Sequence, residues 1–259
     1  MIFNTFGSRE NPVIIMLAGS FCPPESMESL YTILKDDFFI IAPNYNGQYE
    51  GSKDFTSRKG EASEIKQYLA DCGITCVRMI YGQSMGCEIG IELMSQLITA
   101  GIKVENSFWD GAPCIKLSKA YKALMHLKFR SMLKLLKGKS LENIMDIGVI
   151  RMFYKNDPDS ARCMIEPMLT TIPYISETTI KNENECCYTF DFPSFDNEAQ
   201  NRMHFFYDRD EKACRTCLKH VKKAYPHANF EIVSGYAHLT YAFKNTEEYV
   251  SRLKSICLE

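Results

Sequence analysis

Val13, Ile14, Ile15, Met16 and Leu17 form an unbroken apolar run between Pro12 and Gly19, the pattern of a strand buried on both faces. Residues 25–36 then read as a helix, 38–42 as a second buried strand, 57–71 as a helix and 76–81 as a third strand. A helix over 87–99 and a strand over 104–109 continue the series. Strand and helix alternating at this spacing predict a parallel sheet with crossover helices on both faces. From about residue 114 to 200 the strand signal disappears. Leu117, Tyr121, Leu124, Met125, Met132, Leu135 and Leu136 fall there at helical spacing instead. Strand character returns at 203–207 and 229–233, with a helix over 211–224 between them and a last helix over 246–257. The expected architecture is α/β. Residues 1–113 and 201–259 form its core, and 114–200 a helical insertion.

Composition narrows the function without naming it. Lys and Arg number 30 against 32 Asp and Glu, a net charge of −2, without the basic excess of a nucleic-acid binder. No run approaches the roughly 18 apolar residues of a membrane span. The opening MIFNTFGSRENP lacks the basic and apolar regions of a secretory signal, so a cytoplasmic protein with no transmembrane segment is expected. Eleven cysteines, an odd number with no export signal, do not read as a disulfide framework. The CxxC at Cys214 and Cys217 has neither a second CxxC nor a nearby His pair, so these read as ordinary helix thiols. No metal and no cofactor are expected.

Directly after the third strand stands Gly82-Gln83-Ser84-Met85-Gly86, a GxSxG pentapeptide leading into an apolar-periodic helix. A tight strand-to-helix turn lifts such a serine to the top of the sheet, and small neighbours let the backbone close up. Its place at a helix N-terminus favours developing negative charge. A serine hydroxyl needs a base. Of the five histidines, His126, His204, His220 and His227 read as structural or surface residues. His238 follows the last strand across the short loop Ser234-Gly235-Tyr236-Ala237, where it can reach the serine. A carboxylate should orient that imidazole. Counting from Asp208 as the turn residue, Glu211 falls at the acid position; Asp210 is its nearest rival and Asp110 a second.

The order Ser84, acid, His238, with an insertion before the acid, resembles the α/β-hydrolase superfamily with a helical cap. The resemblance spans nearly the whole chain and rests on GQSMG and the Gly-Tyr-Ala-His segment ending at His238. It implies a serine hydrolase acting on a small, partly apolar ester or related acyl compound, with Ser84, His238 and Glu211 as nucleophile, base and acid. The backbone N–H of Ser20, or of Phe21, would pair with that of Met85 as an oxyanion hole. Three departures stand out: Ala18 replaces the family's histidine in the loop after the first buried strand, Cys87 replaces a second small residue, and Asp208 takes the place of the usual turn glycine. Acyl transfer on the same triad, or small-molecule binding without turnover, are the alternatives. The sequence leaves the oligomeric state open.

Eight basic residues and no acidic one lie between Ile115 and Lys139. On a helical wheel Lys116, Lys119, Lys122, Arg130, Lys134 and Lys137 fall opposite the apolar stripe, a solvated outer face over a greasy underside. Met125 and Met132, with Phe21, are then expected to roof an adaptable substrate pocket.

Overall fold

A computed structural model describes residues 1–153 and 157–258. Seven strands, β1 (Ile2–Phe6), β2 (Val13–Leu17), β3 (Phe39–Asn44), β4 (Cys76–Gln83), β5 (Lys103–Asp110), β6 (Met203–Asp208) and β7 (Asn229–Val233), form one sheet of order β1-β3-β2-β4-β5-β6-β7. β1 pairs antiparallel with β3, and every other pairing is parallel. The expected mostly parallel sheet is present. β1 escapes the apolar-run pattern because it is an edge strand with only partial burial and polar Asn4 and Thr5 in its centre.

Twelve helices complete the described chain: α1 (Glu28–Leu34), α2 (Arg58–Asp71), α3 (Met85–Thr99), α4 (Lys119–Leu136), α5 (Leu141–Met145), α6 (Gly148–Phe153), α7 (Pro158–Thr171), α8 (Glu177–Tyr188), α9 (Asn197–Asn201), α10 (Lys212–Ala224), α11 (Thr240–Lys244) and α12 (Thr246–Leu258). The helix expected over 25–36 divides, with a 3₁₀ turn at Pro24–Met27 preceding α1. The side chains along β2 alternate between two cores. Ile14 and Met16 join the cluster that includes α1 and α12, while Ile15 and Leu17 join the one that includes α2 and α3. That period of two explains the unbroken apolar run, since both faces of the strand are covered.

Helices α4 to α9 lie between β5 and β6. The serine caps are local and legible: Ser118, Ser140 and Ser176 each accept the backbone N–H three residues on, satisfying a donor the helix itself leaves open. The expected division of α4 into a basic outer and an apolar inner face needs correction. Leu133 and Leu136 are buried and α4 packs on α8, but Tyr121, Leu124 and Leu127 are 64%, 46% and 56% exposed. Lys122 turns inward to Glu185, Lys116 pairs with Asp191 and Arg130 with Glu177. Apolar residues occupy more of the circumference than one neighbouring helix can cover, so some are left outside among the lysines.

Candidate active site

β4 hands over to α3 at Ser84, whose φ of 50° and ψ of −120° are unusual for a residue with a side chain. Such strain persists only where the surroundings over-determine it. Two contacts do so. The Ser84 N–H donates to the Asp110 carbonyl at 2.8 Å, and Gly86 lies so close to β2 that an added Cβ would sit 2.2 Å from the Leu17 carbonyl oxygen. The half-buried serine therefore stands at the C-terminal edge of the sheet, with α3 starting at Met85, two residues earlier than periodicity alone suggests.

Glu211 and His238 meet across the ends of β6 and β7. The Glu211 Oε2 contacts His238 Nδ1, while Oε1 accepts the Asp208 N–H at 3.2 Å. The carboxylate side chain is 2% exposed and the imidazole 25%. Burial alone would depress the histidine pKa, yet the charge and hydrogen bond of Glu211, with a contribution from Asp110, hold it above 6.5. Asp208 ties the two loops together: its Oδ1 accepts the Asp210 N–H at 2.7 Å and its Oδ2 the Tyr236 N–H at 2.8 Å. Of the rival acids, Asp210 is exposed at the turn. Asp110 is buried and accepts the Tyr249 hydroxyl at 2.6 Å. Burial pushes its carboxyl up to about 7, with the Tyr249 bond and His238 opposing the rise and Glu211 adding to it.

Gly111, which carries no sequence pattern beyond an Asp-Gly pair at a strand end, is central to this geometry. Its φ is +65°, and a Cβ there would lie 2.4 Å from His238 Cε1 and 3.3 Å from Glu211 Oε2. The absent side chain makes room for the imidazole. Ser84 and His238 consequently flank the same short piece of backbone, at residues 110 and 111. Among the described residues no hydrogen bond joins the Ser84 hydroxyl to the imidazole, a contact that commonly tightens only with substrate bound.

The loop after β2 covers the strand-to-helix turn at Ser84, the elbow: a Cβ on Gly19 would be 3.4 Å from that of Ser84. The Ser20 N–H has no partner among the described residues, and the Met85 N–H opens α3, where the helix leaves its first donors free. The alternative donor, the Phe21 N–H, is engaged by Glu183 Oε2 of α8 at 3.0 Å. Phe21 itself is left-handed, with φ 59°, and its carbonyl accepts the Thr171 hydroxyl of α7 at 2.6 Å. Its ring meets Phe129 edge-on at 5.3 Å. Met132 packs against the same cluster, whereas half-buried Met125 belongs to neither core. Sequence reasoning missed Phe129, Thr171 and Glu183, which reach this loop only through tertiary packing.

Chemically, the arrangement offers a strained hydroxyl, a carboxylate-polarised imidazole and two backbone donors on one sheet edge. Among the described residues no group of His, Cys, Asp and Glu is arranged to hold a metal ion, and no helix is long and apolar enough to cross a membrane. All eleven cysteines, Cys214 and Cys217 included, are free thiols.

Sequence comparison finds no matching family model and no matching curated protein. Structural comparison does find relatives in shape. An alpha/beta hydrolase family protein from Desulfitobacterium hafniense aligns with a TM-score of 0.76 at 16% identity, over 98% of this chain and 99% of its own. The esterase EaEST from Exiguobacterium antarcticum gives 0.73 at 15% identity, over 99% and 95%. The enol-lactonase from Burkholderia xenovorans gives 0.70 at 12%, over 100% and 96%. Each alignment covers nearly the whole of both chains. The chain has the α/β-hydrolase fold.

Proposed function

We propose that the protein is a serine hydrolase that cleaves a small, partly apolar ester or related acyl compound. The observation that carries this reading is the convergence of Ser84, held at positive φ, with the Glu211–His238 pair around residues 110 and 111. Ser84 Oγ attacks the acyl carbonyl as His238 Nε2 takes its proton. Glu211, buried against Nδ1, fixes the tautomer and stabilises the imidazolium. The carbonyl oxygen takes up the electron pair and is met by the Ser20 and Met85 N–H groups. Collapse of this intermediate expels the alkoxide, which leaves as the alcohol with the proton from His238. Water then attacks the acyl-enzyme by the same route and releases the acid. The chain alone supplies every group these steps need.

The helical insertion over 114–200 acts as a cap in this reading. Phe21 and Met132, with Phe129, supply the apolar side of the acyl site. The esterase and enol-lactonase among the structural relatives support an ester-like substrate, although one fold hosts many chemistries. A fluorophosphonate probe tests the reading. Wild type is expected to label at Ser84, and Ser84→Ala to lose labelling together with about 10³-fold or more of its turnover, with its melting temperature kept. An unlabelled wild-type protein would reduce the molecule to a binding module. Transfer to an added alcohol faster than hydrolysis would make it an acyltransferase.

A further inference from the structure

We propose that Glu183, on the helical insertion, is a positioning residue that holds the oxyanion loop of the core in its working shape, an inference that rests on the hydrolase reading above. Phe21 follows Ser20, the proposed donor, and is held in the left-handed region that residues with side chains avoid. Both of its backbone groups are occupied from outside the sheet. Its N–H donates to Glu183 Oε2 at 3.0 Å, and its carbonyl accepts the Thr171 hydroxyl at 2.6 Å. The other carboxylate oxygen, Oε1, accepts the Gln48 side-chain amide at 3.0 Å. One carboxylate thus joins the loop after β2, the segment after β3 and helix α8.

Packing alone does not account for this residue. Glu183 is fully buried, and no ion pair reaches it among the described residues. Burial pushes its carboxyl up to about 8, against the pull of the Gln48 and Phe21 hydrogen bonds and with a further push from Glu61. An apolar side chain would fill the same space without that cost. What the carboxyl group supplies, and an apolar side chain does not, is a pair of acceptor oxygens, one aimed at the backbone next to Ser20. Oxyanion donors act through their placement, and placement here depends on a residue that would otherwise leave the left-handed region.

The test compares wild type, Glu183→Ala, Glu183→Gln and Thr171→Val on a short p-nitrophenyl ester. Glutamine keeps an acceptor for the Phe21 N–H, and Gln48 can turn its own unpartnered Oε1 toward the new amide. Glu183→Ala is expected to lower kcat about 30-fold, part of the effect of deleting an oxyanion donor outright. Its KM should stay within about twofold, and Glu183→Gln should keep kcat within about threefold. Deuterium exchange over residues 17–24 should quicken in Glu183→Ala and return to the wild-type rate in Glu183→Gln. If the alanine variant does not fold, Thr171→Val, which removes the hydroxyl from the other side of Phe21, should lower kcat about fivefold. Alanine kcat within threefold of wild type, or valine kcat unchanged, overturns the inference, as does unaltered exchange. A wild-type protein that neither labels at Ser84 nor turns over defeats the hydrolase reading instead, and the exchange result still decides whether Glu183 holds the loop.

Discussion

Glu211 and His238 lie 27 residues apart in sequence, each just beyond the end of one of two neighbouring strands, and the carboxylate of Asp208 between them closes the unit. Phe21 and Glu183 lie 162 residues apart, one on a core loop and the other on an inserted helix. The first pair is fixed by the sheet, because β6 and β7 run side by side and their ends cannot separate without breaking the ladder. The second is fixed only while the insertion stays docked. The proposed acid–base half is therefore held by the sheet, and the proposed oxyanion half depends on contacts made by another part of the molecule. That contrast assigns different consequences to damage in each half.

The largest effect should come from the half held by the sheet. Glu211→Gln is expected to lower kcat by about 10³-fold or more, because a neutral amide no longer stabilises the imidazolium, while Asp210→Asn stays within about threefold. Reversed sizes would make Asp210 the acid, and loss of activity in neither would turn attention to Asp110. In the proposed mechanism the base works as neutral imidazole, so kcat/KM should rise with pH through an inflection above 6.5. Removal of the Glu211 charge should move that inflection downward, as steady-state profiles of any residual activity would record.

Gly111→Ala strikes the same half through shape alone. The added methyl would sit 2.4 Å from His238 Cε1 at a residue with φ +65°, so the ring must move and the backbone strain. We expect about tenfold lower kcat and about 1–3 kcal/mol lower stability in urea titrations. Activity equal to wild type would show that the loop at His238 yields more freely than its ties to Asp208 imply.

The oxyanion half should reveal itself in stability against pH. Glu183 has its folded-state pKa raised to about 8 from an ordinary 4.5, so the folded protein holds this proton more tightly than the unfolded chain. The corresponding stability is fully present below pH 4.5 and is lost as pH rises toward 8. Glu183→Gln, which cannot ionise, should therefore gain on wild type steadily across that interval. A constant difference between the two would contradict it. The smallest effect is expected at the outer helix. Exchanging Lys119, Lys134 and Lys137 for glutamine should alter kcat/KM on a neutral ester less than twofold at any ionic strength, because exposed charges act over about 10 Å at 0.1 M salt.

What the sequence disclosed follows the same division. The buried strands are legible because a strand covered on both faces must be apolar throughout, and the elbow because a sharp strand-to-helix turn demands small residues around Ser84. Glu211 could be ranked above Asp210 by counting along a turn. Glu183 gave no such sign. It sits in the polar stretch ETTIKNENECCY of α8, where a glutamate reads as a solvated helix residue. Its burial is decided by packing against a loop encoded at the other end of the chain. Likewise the exposure of Tyr121, Leu124 and Leu127 depends on how many neighbours α4 acquires, which periodicity does not encode.

Asp208 gives the two loops a shared fate. Because one of its oxygens holds the backbone of the acid turn and the other holds the backbone beside Tyr236, the turn and the histidine loop form a single cassette. A graft of either loop alone from another scaffold would arrive without its counterpart anchor and misplace the imidazole by the slack between them. The two loops should be exchanged, recombined and diversified only as a matched set, with Asp208 carried along.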